Sequence, residues 1–238
     1  MDFSIKPVGD HAVKIQFNEA VSPQLNRIIK MFCEDLEYAA IDGIEEWVPA
    51  FDSVTIYYEP SRLVYKEICK KLRHVVPDDG EDAIVNPRHV YVPVLYGGEH
   101  GPDLKRVAEY NRLTEKEVIV RHQQPDYFIY MLGFLPGFPY LGGMSETIAT
   151  PRLPEPRKLI NAGAVGIAHE QTGIYPVASP GGWNIIGQTP LKLFDPNNDD
   201  HAFLFRAGDV VHFYEITEYG FSEIKEQVAD GTFNVKLK

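Results

Sequence analysis

Residues 131–190 make up a quarter of the chain but hold ten of its 19 glycines and eight of its 18 prolines. Proline lacks a backbone donor and clashes with the preceding helical turn, and glycine loses the most entropy on ordering, so no long helix fits here. Short strands joined by tight turns do fit, and A-V-G-I-A (164–168) and W-N-I-I-G (183–187) read as such strands. Inside the segment, G-F-L-P-G-F-P-Y-L-G-G (133–143) carries no formal charge. Connecting segments are normally polar surface. A loop of aromatics, glycines and prolines is therefore expected to form a pocket wall or a contact face, and to be only partly buried within the chain.

The flanking sequence extends the strand pattern. H-V-Y-V-P-V-L-Y (89–96), Y-F-I-Y-M-L-G (127–133), H-A-F-L-F (201–205) and D-V-V-H-F-Y-E-I (209–216) are further strands, and together they predict a closed or nearly closed, mainly-β barrel over 88–238. A short helical region is expected at 102–123, its second piece opened by a capping box of Thr114 and Glu117.

The first 80 residues read differently. F-S-I-K-P and H-A-V-K-I-Q-F alternate apolar with polar around a Gly9-Asp10 turn, and I-E-E-W-V and S-V-T-I-Y-Y are two more strands. Ser22-Pro23 opens a helix with Leu25, Ile28, Ile29, Phe32 and Leu36 on one stripe, and a second helix is expected from Arg62 to Arg73. The order β-β-α-β-β-α suggests a ferredoxin-like α+β domain over 1–80. The polar stretch V-P-D-D-G-E-D-A-I-V-N-P (76–87) is the expected linker.

Charge and motifs exclude several functions. With 34 acidic against 23 basic residues and no Lys/Arg cluster, the chain is not expected to bind nucleic acid. No apolar run approaches the roughly 20 residues of a membrane span, and M-D-F-S-I-K-P lacks the features of a signal peptide, so a cytoplasmic location is expected. Cys33 and Cys69 fall on separate helices and form no C-x-x-C, which predicts reduced core cysteines. There is no phosphate-binding loop, no dinucleotide fingerprint and no H-E-x-x-H, and Ser179 lies in A-S-P-G, not in a nucleophile elbow. The histidines are spread along the chain, and no metal site is expected. If ATP is used, a partner chain is expected to hold its phosphates.

The polar residues of the glycine-rich segment are the candidate site. Arg157, Gln171, Tyr175, Ser179 and Trp183 are expected to converge on the barrel mouth, in the usual design of an apolar pocket with a few placed polar groups. Arg157 can grip a carboxylate with two nitrogens, and Gln171 offers both a donor and an acceptor to an amide or lactam edge. Tyr130, Phe134, Phe138 and Tyr140 complete the expected substrate-binding wall.

E-H-G-P-D-L, G-F-L-P-G-F-P-Y-L-G-G, Q-T-G-I-Y-P and S-P-G-G-W, in this order over nearly the whole chain, resemble the allophanate hydrolase subunit 1 family. The resemblance implies an N-terminal ferredoxin-like domain and a C-terminal cyclophilin-like barrel. It also implies a non-autonomous component of an ATP-dependent enzyme that opens 5-oxoproline to glutamate. The partners implied are an allophanate hydrolase subunit 2-type chain and a lactam utilisation-type chain. Relatives belong to biotin-dependent urea carboxylase, but no biotin attachment site is present here. In that enzyme reading, glycine-rich turns with Arg157 or Gln171 stabilise an oxyanion, and His100 or His122, titratable near neutral pH, acts as general base.

The family also implies an alternative, a non-catalytic inhibitor of a sporulation sensor histidine kinase that docks through Phe134, Leu135, Phe138 and Tyr140. A peptidyl-prolyl isomerase would rest on fold alone. Four positions depart from the family pattern: His169 and Glu170 stand where Gly-Gly is common and are expected beside the pocket, Asn161 replaces a proline, and Gln188 replaces an arginine.

Overall fold

A computed structural model of the chain describes residues 2–76, 87–198 and 202–238. The chain divides into two compact units, Met1–Asn86 and Pro87–Lys238. Apart from its two end residues, the expected 76–87 linker lies outside the described residues.

The first unit runs β1 (Phe3–Val8), β2 (Ala12–Phe17), α1 (Pro23–Ala39), β3 (Ile44–Pro49), β4 (Ser53–Tyr58) and α2 (Tyr65–Val75), which is the element order read from the sequence. The four strands form one sheet in the order β1-β2-β4-β3, antiparallel throughout. Alternation puts Val13, Ile15 and Phe17 of β2 and Val54, Ile56 and Tyr58 of β4 on one face. There they form a core with Leu25, Ile29, Phe32 and Leu36 of α1 and Ile68 and Leu72 of α2. The α1 N-terminus is closed as its sequence suggests, since the Ser22 hydroxyl accepts from the Leu25 N–H at 3.1 Å. Helix α2 starts three residues later than expected. The N–H groups of Arg62 and Leu63 both turn back to the Glu59 carbonyl, which keeps 59–63 as a turn.

The second unit contains β5 (His89–Tyr96), α3 (Leu104–Asn111), α4 (Glu115–Gln123), β6 (Tyr127–Leu132), β7 (Pro139–Gly142), β8 (Arg157–Ile160), β9 (Ala164–Ala168), β10 (Gln171–Ile174), β11 (Ser179–Gly181), β12 (Asn184–Gln188), β13 (Val210–Glu215) and α5 (Glu218–Ala229). Seven strands close into a barrel in the order β10-β7-β6-β13-β5-β12-β9, with β8 and β11 forming a separate ribbon. The β5–β13 pair is parallel and the other barrel pairs are antiparallel. Val90, Val92 and Val94 of β5 and Val211 and Phe213 of β13 alternate into the barrel core. The capping box forms as expected, with the Glu117 N–H donating to the Thr114 hydroxyl and the Thr114 N–H to the Glu117 carboxylate.

Two parts of the barrel half depart from the sequence reading. The described residues of H-A-F-L-F form no strand. They pair locally with 193–195, through Asp195 N–H to Ala202 C=O and Leu204 N–H to Leu193 C=O, and His201 lies outside the described residues. Helix α5 was not foreseen.

Candidate functional site

The aromatic loop joins β6 to β7 by two consecutive turns. The Leu135 N–H donates to the Gly133 carbonyl at 2.8 Å around Phe134, whose φ is +66°, so this is a γ-turn of the rare positive-φ form. The Phe138 N–H then donates to the Leu135 carbonyl at 3.0 Å around Pro136-Gly137, with Gly137 at φ +80° as a type II turn requires. The loop thus throws its aromatics to different fates. Phe138 is 2% exposed and Phe134 78% exposed. Phe138 belongs to the core, and the expectation of partial burial holds for Phe134 and Tyr140.

Phe138 is the hub of an aromatic cluster. Its ring centroid lies 5.4 Å from Tyr140, 5.5 Å from Tyr175, 5.5 Å from Trp183 and 6.3 Å from Phe134, each pair edge-to-face. Each such pair adds roughly 0.5–1.5 kcal/mol beyond area burial. Two glycines make the room. A Cβ on Gly173 would sit 2.9 Å from Phe138 Cζ, and one on Gly181 only 2.4 Å from the Tyr175 hydroxyl oxygen, so neither position admits a side chain without moving the cluster.

A cavity of about 150 Å³ opens over this cluster, lined by Phe134, Phe138, Tyr140, Tyr175 and Trp183, by Pro180 with Gly181 and Gly182, and by two polar heads, Arg152 and Gln171. Burial pushes the Tyr175 phenol above its usual pKa, partly offset by Arg152, so near neutral pH it presents a neutral hydroxyl. Six of the residues expected at the site therefore meet in one cavity.

The other five do not. Arg157 is engaged elsewhere, with its two terminal nitrogens on the Asp103 carboxylate at 2.8 and 2.7 Å. His100 bonds Gln188 through Nδ1 at 2.7 Å, lies 3.6 Å from Glu218 and packs on Phe221, away from the cavity. His122 is fully buried in the barrel core. Tyr96 faces its Nδ1 at 2.8 Å and Thr172 its Nε2 at 2.9 Å, and burial lowers its pKa to about 3. A base needs an accessible lone pair, so this ring is structural. Tyr130 packs edge-to-face against Phe128 and covers Gly142. Ser179 is 7% exposed beside the lining segment, and its hydroxyl finds no hydrogen-bond partner among the described residues. His169 and Glu170 form the exposed β9–β10 tip and stay out of the cavity. In the opposite direction, Arg152 was missed. The signal available for it was the T-P-R-L-P context, in which two prolines fix the chain around one cation.

Among the described residues, no group of three or more His, Cys, Asp or Glu could hold a metal, and no helix is long and apolar enough to cross a membrane. The fold and the site together define a closed β-barrel with a small, aromatic-walled pocket. The chain belongs to the family described as carboxyltransferase domain, subdomain C and D, whose model matches residues 3–204, in agreement with the allophanate hydrolase subunit 1 resemblance. It is 43% identical to the B subunit of 5-oxoprolinase from Bacillus subtilis (strain 168), over 94% of this chain and 98% of that protein. Among solved structures, it is similar to TTHA0988 at 37% identity and a TM-score of 0.74, over 87% of this chain. It spans only 40% of that longer chain. Urea carboxylase of Kluyveromyces lactis, at 19% identity and a TM-score of 0.80, covers 99% of this chain, which itself spans 24% of that protein. That likeness concerns fold alone.

Proposed function

We propose that this chain is the B subunit of an ATP-dependent 5-oxoprolinase and that the aromatic pocket binds the lactam. The observation that carries the reading is the pocket itself, with flat apolar walls and two polar heads that bond no described residue, alongside 43% identity to the B subunit of a 5-oxoprolinase. The cavity of about 150 Å³ equals the liquid volume of about five waters and suits one small ring. It falls below the roughly 300 Å³ where pockets for drug-sized ligands begin. In this reading phosphoryl transfer to the lactam oxygen falls to a partner chain, and this chain's residues hold and orient the ring. Gln171, whose side-chain amide bonds no described residue, matches the donor and acceptor of a lactam edge.

The partners in this reading are an allophanate hydrolase subunit 2-type chain and a lactam utilisation-type chain, with the complex in the cytoplasm. That the related TTHA0988 carries its matching segment within a longer chain supports work beside further polypeptide. The barrel is read as cyclophilin-like. The N-terminal sheet order β1-β2-β4-β3 is read as a ferredoxin-like sandwich whose last strand has moved to the front, because that permutation of β-α-β-β-α-β yields β-β-α-β-β-α with this strand order.

The test is co-expression of the tagged chain with the two partner types, followed by an assay of ATP-dependent glutamate release from 5-oxoproline. Activity that requires all three chains is expected. A complete, stable complex that releases no glutamate refutes the reading.

A further inference from the structure

We propose that Arg152 is the anchor for a carboxylate in this pocket, so that the ligand is a small, flat monocarboxylate whose acid group sits at the Arg152 end. This rests on the pocket being the substrate site. Three observations carry it.

The first is charge. Of the residues lining the cavity, Arg152 alone carries a formal charge. The cation expected from sequence, Arg157, is paired with Asp103 through two hydrogen bonds and is not among the residues lining the cavity.

The second is availability. The Arg152 side chain is exposed and makes no hydrogen bond or ion pair with any described residue. A guanidinium without a protein partner keeps its whole donor fork for a ligand, and that fork matches a carboxylate in bidentate fashion.

The third is preorganisation. The backbone around Arg152 is pinned on both sides. Thr150 and His169 exchange two backbone hydrogen bonds, of 3.1 and 2.7 Å. The Pro151 carbonyl accepts from the Asn184 side-chain amide at 2.9 Å, and the Leu153 N–H donates to the Gly182 carbonyl at 2.7 Å. His169 takes a left-handed φ of +53° at this junction, so the fold tolerates a strained residue where the Arg152 segment is held. With the backbone already fixed, binding has only the side chain's own rotamers left to order.

The test uses the full chain with Trp47→Phe, so that Trp183 in the pocket is the sole tryptophan emitter. The probes are 5-oxoproline, its neutral carboxamide, and 2-pyrrolidone, which has the lactam ring and no acid group. The intact chain should prefer 5-oxoproline to both. Arg152→Gln should weaken 5-oxoproline binding by about tenfold to a hundredfold, the usual loss for a charged hydrogen-bonded pair, and leave the carboxamide unchanged. Arg152→Lys should fall between. Because Arg152 is exposed and unpartnered, the melting temperature should not move. A carboxylate preference that survives Arg152→Gln, an equal loss for acid and amide, or no binding of any probe at millimolar concentration by either the chain or its complex overturns the proposal. Glutamate release by the complex is read separately. If it is absent while Arg152 still selects carboxylates, the lactam assignment fails and the anchor stands.

Discussion

Arg157 closes on Asp103 with hydrogen bonds of 2.8 and 2.7 Å, and the same carboxylate accepts the Ile185 backbone N–H at 2.7 Å. The pair ties the start of β8 to β12 and to the turn before α3. The Asp103 side chain is 8% exposed and that of Arg157 33%. Removing one partner of a buried pair strands the other. Arg157→Ala should therefore cost about 2–3 kcal/mol in urea unfolding, less than a fully buried pair because the guanidinium reaches solvent. A double-mutant cycle with Asp103→Asn should show coupling above about 1 kcal/mol. Additive losses would mean that the pair holds nothing together.

His122 makes the fold acid-sensitive. Its folded pKa of about 3 lies below the ordinary 6.5, so between these values the unfolded chain binds the proton and the native chain does not. This stability is complete above pH 6.5 and is lost as pH falls toward 3. The loss should reach about 3 kcal/mol near pH 4, at up to 1.36 kcal/mol per pH unit. His122→Gln, compared with the unaltered chain by urea titration from pH 7 to 4, should show a flatter profile. Parallel profiles would contradict a neutral buried imidazole.

Phe134 stores strain at the lip of the pocket. A positive φ costs a non-glycine residue about 1–2 kcal/mol, and at 78% exposure little packing offsets it. Phe134→Gly should leave stability unchanged or raise it by up to about 1 kcal/mol, while ligand affinity falls because one wall is gone. Unaltered affinity would remove Phe134 from the site.

Local chemistry made much of this legible in the sequence. Ser22-Pro23, the Thr114–Glu117 box and the period-2 strands each act within a few residues, and each forms as read. The glycine-rich segment pointed to the pocket because close packing around Phe138 and Tyr175 demands glycines at 173 and 181. What failed was long-range pairing. Nothing local separates Arg152 from Arg157. The difference lies with Asp103, some fifty positions earlier in the chain, which captures one and leaves the other free. His122 is one more titratable residue in sequence, and only the closed barrel takes it out of water. Helix α5 escaped notice because it contains Gly220 and buries only Phe221, too thin a stripe to stand out.

In the function proposed above, the aromatic pocket of this chain holds 5-oxoproline. The measurement that reaches it most directly is the kcat/KM of the assembled three-chain enzyme carrying Gln171→Leu, a change at a half-buried side chain with no internal hydrogen bond to lose. Assembly should stay intact and kcat/KM should fall at least about tenfold, the loss of one oriented amide contact. An assembled enzyme with unchanged kcat/KM would place the lactam elsewhere.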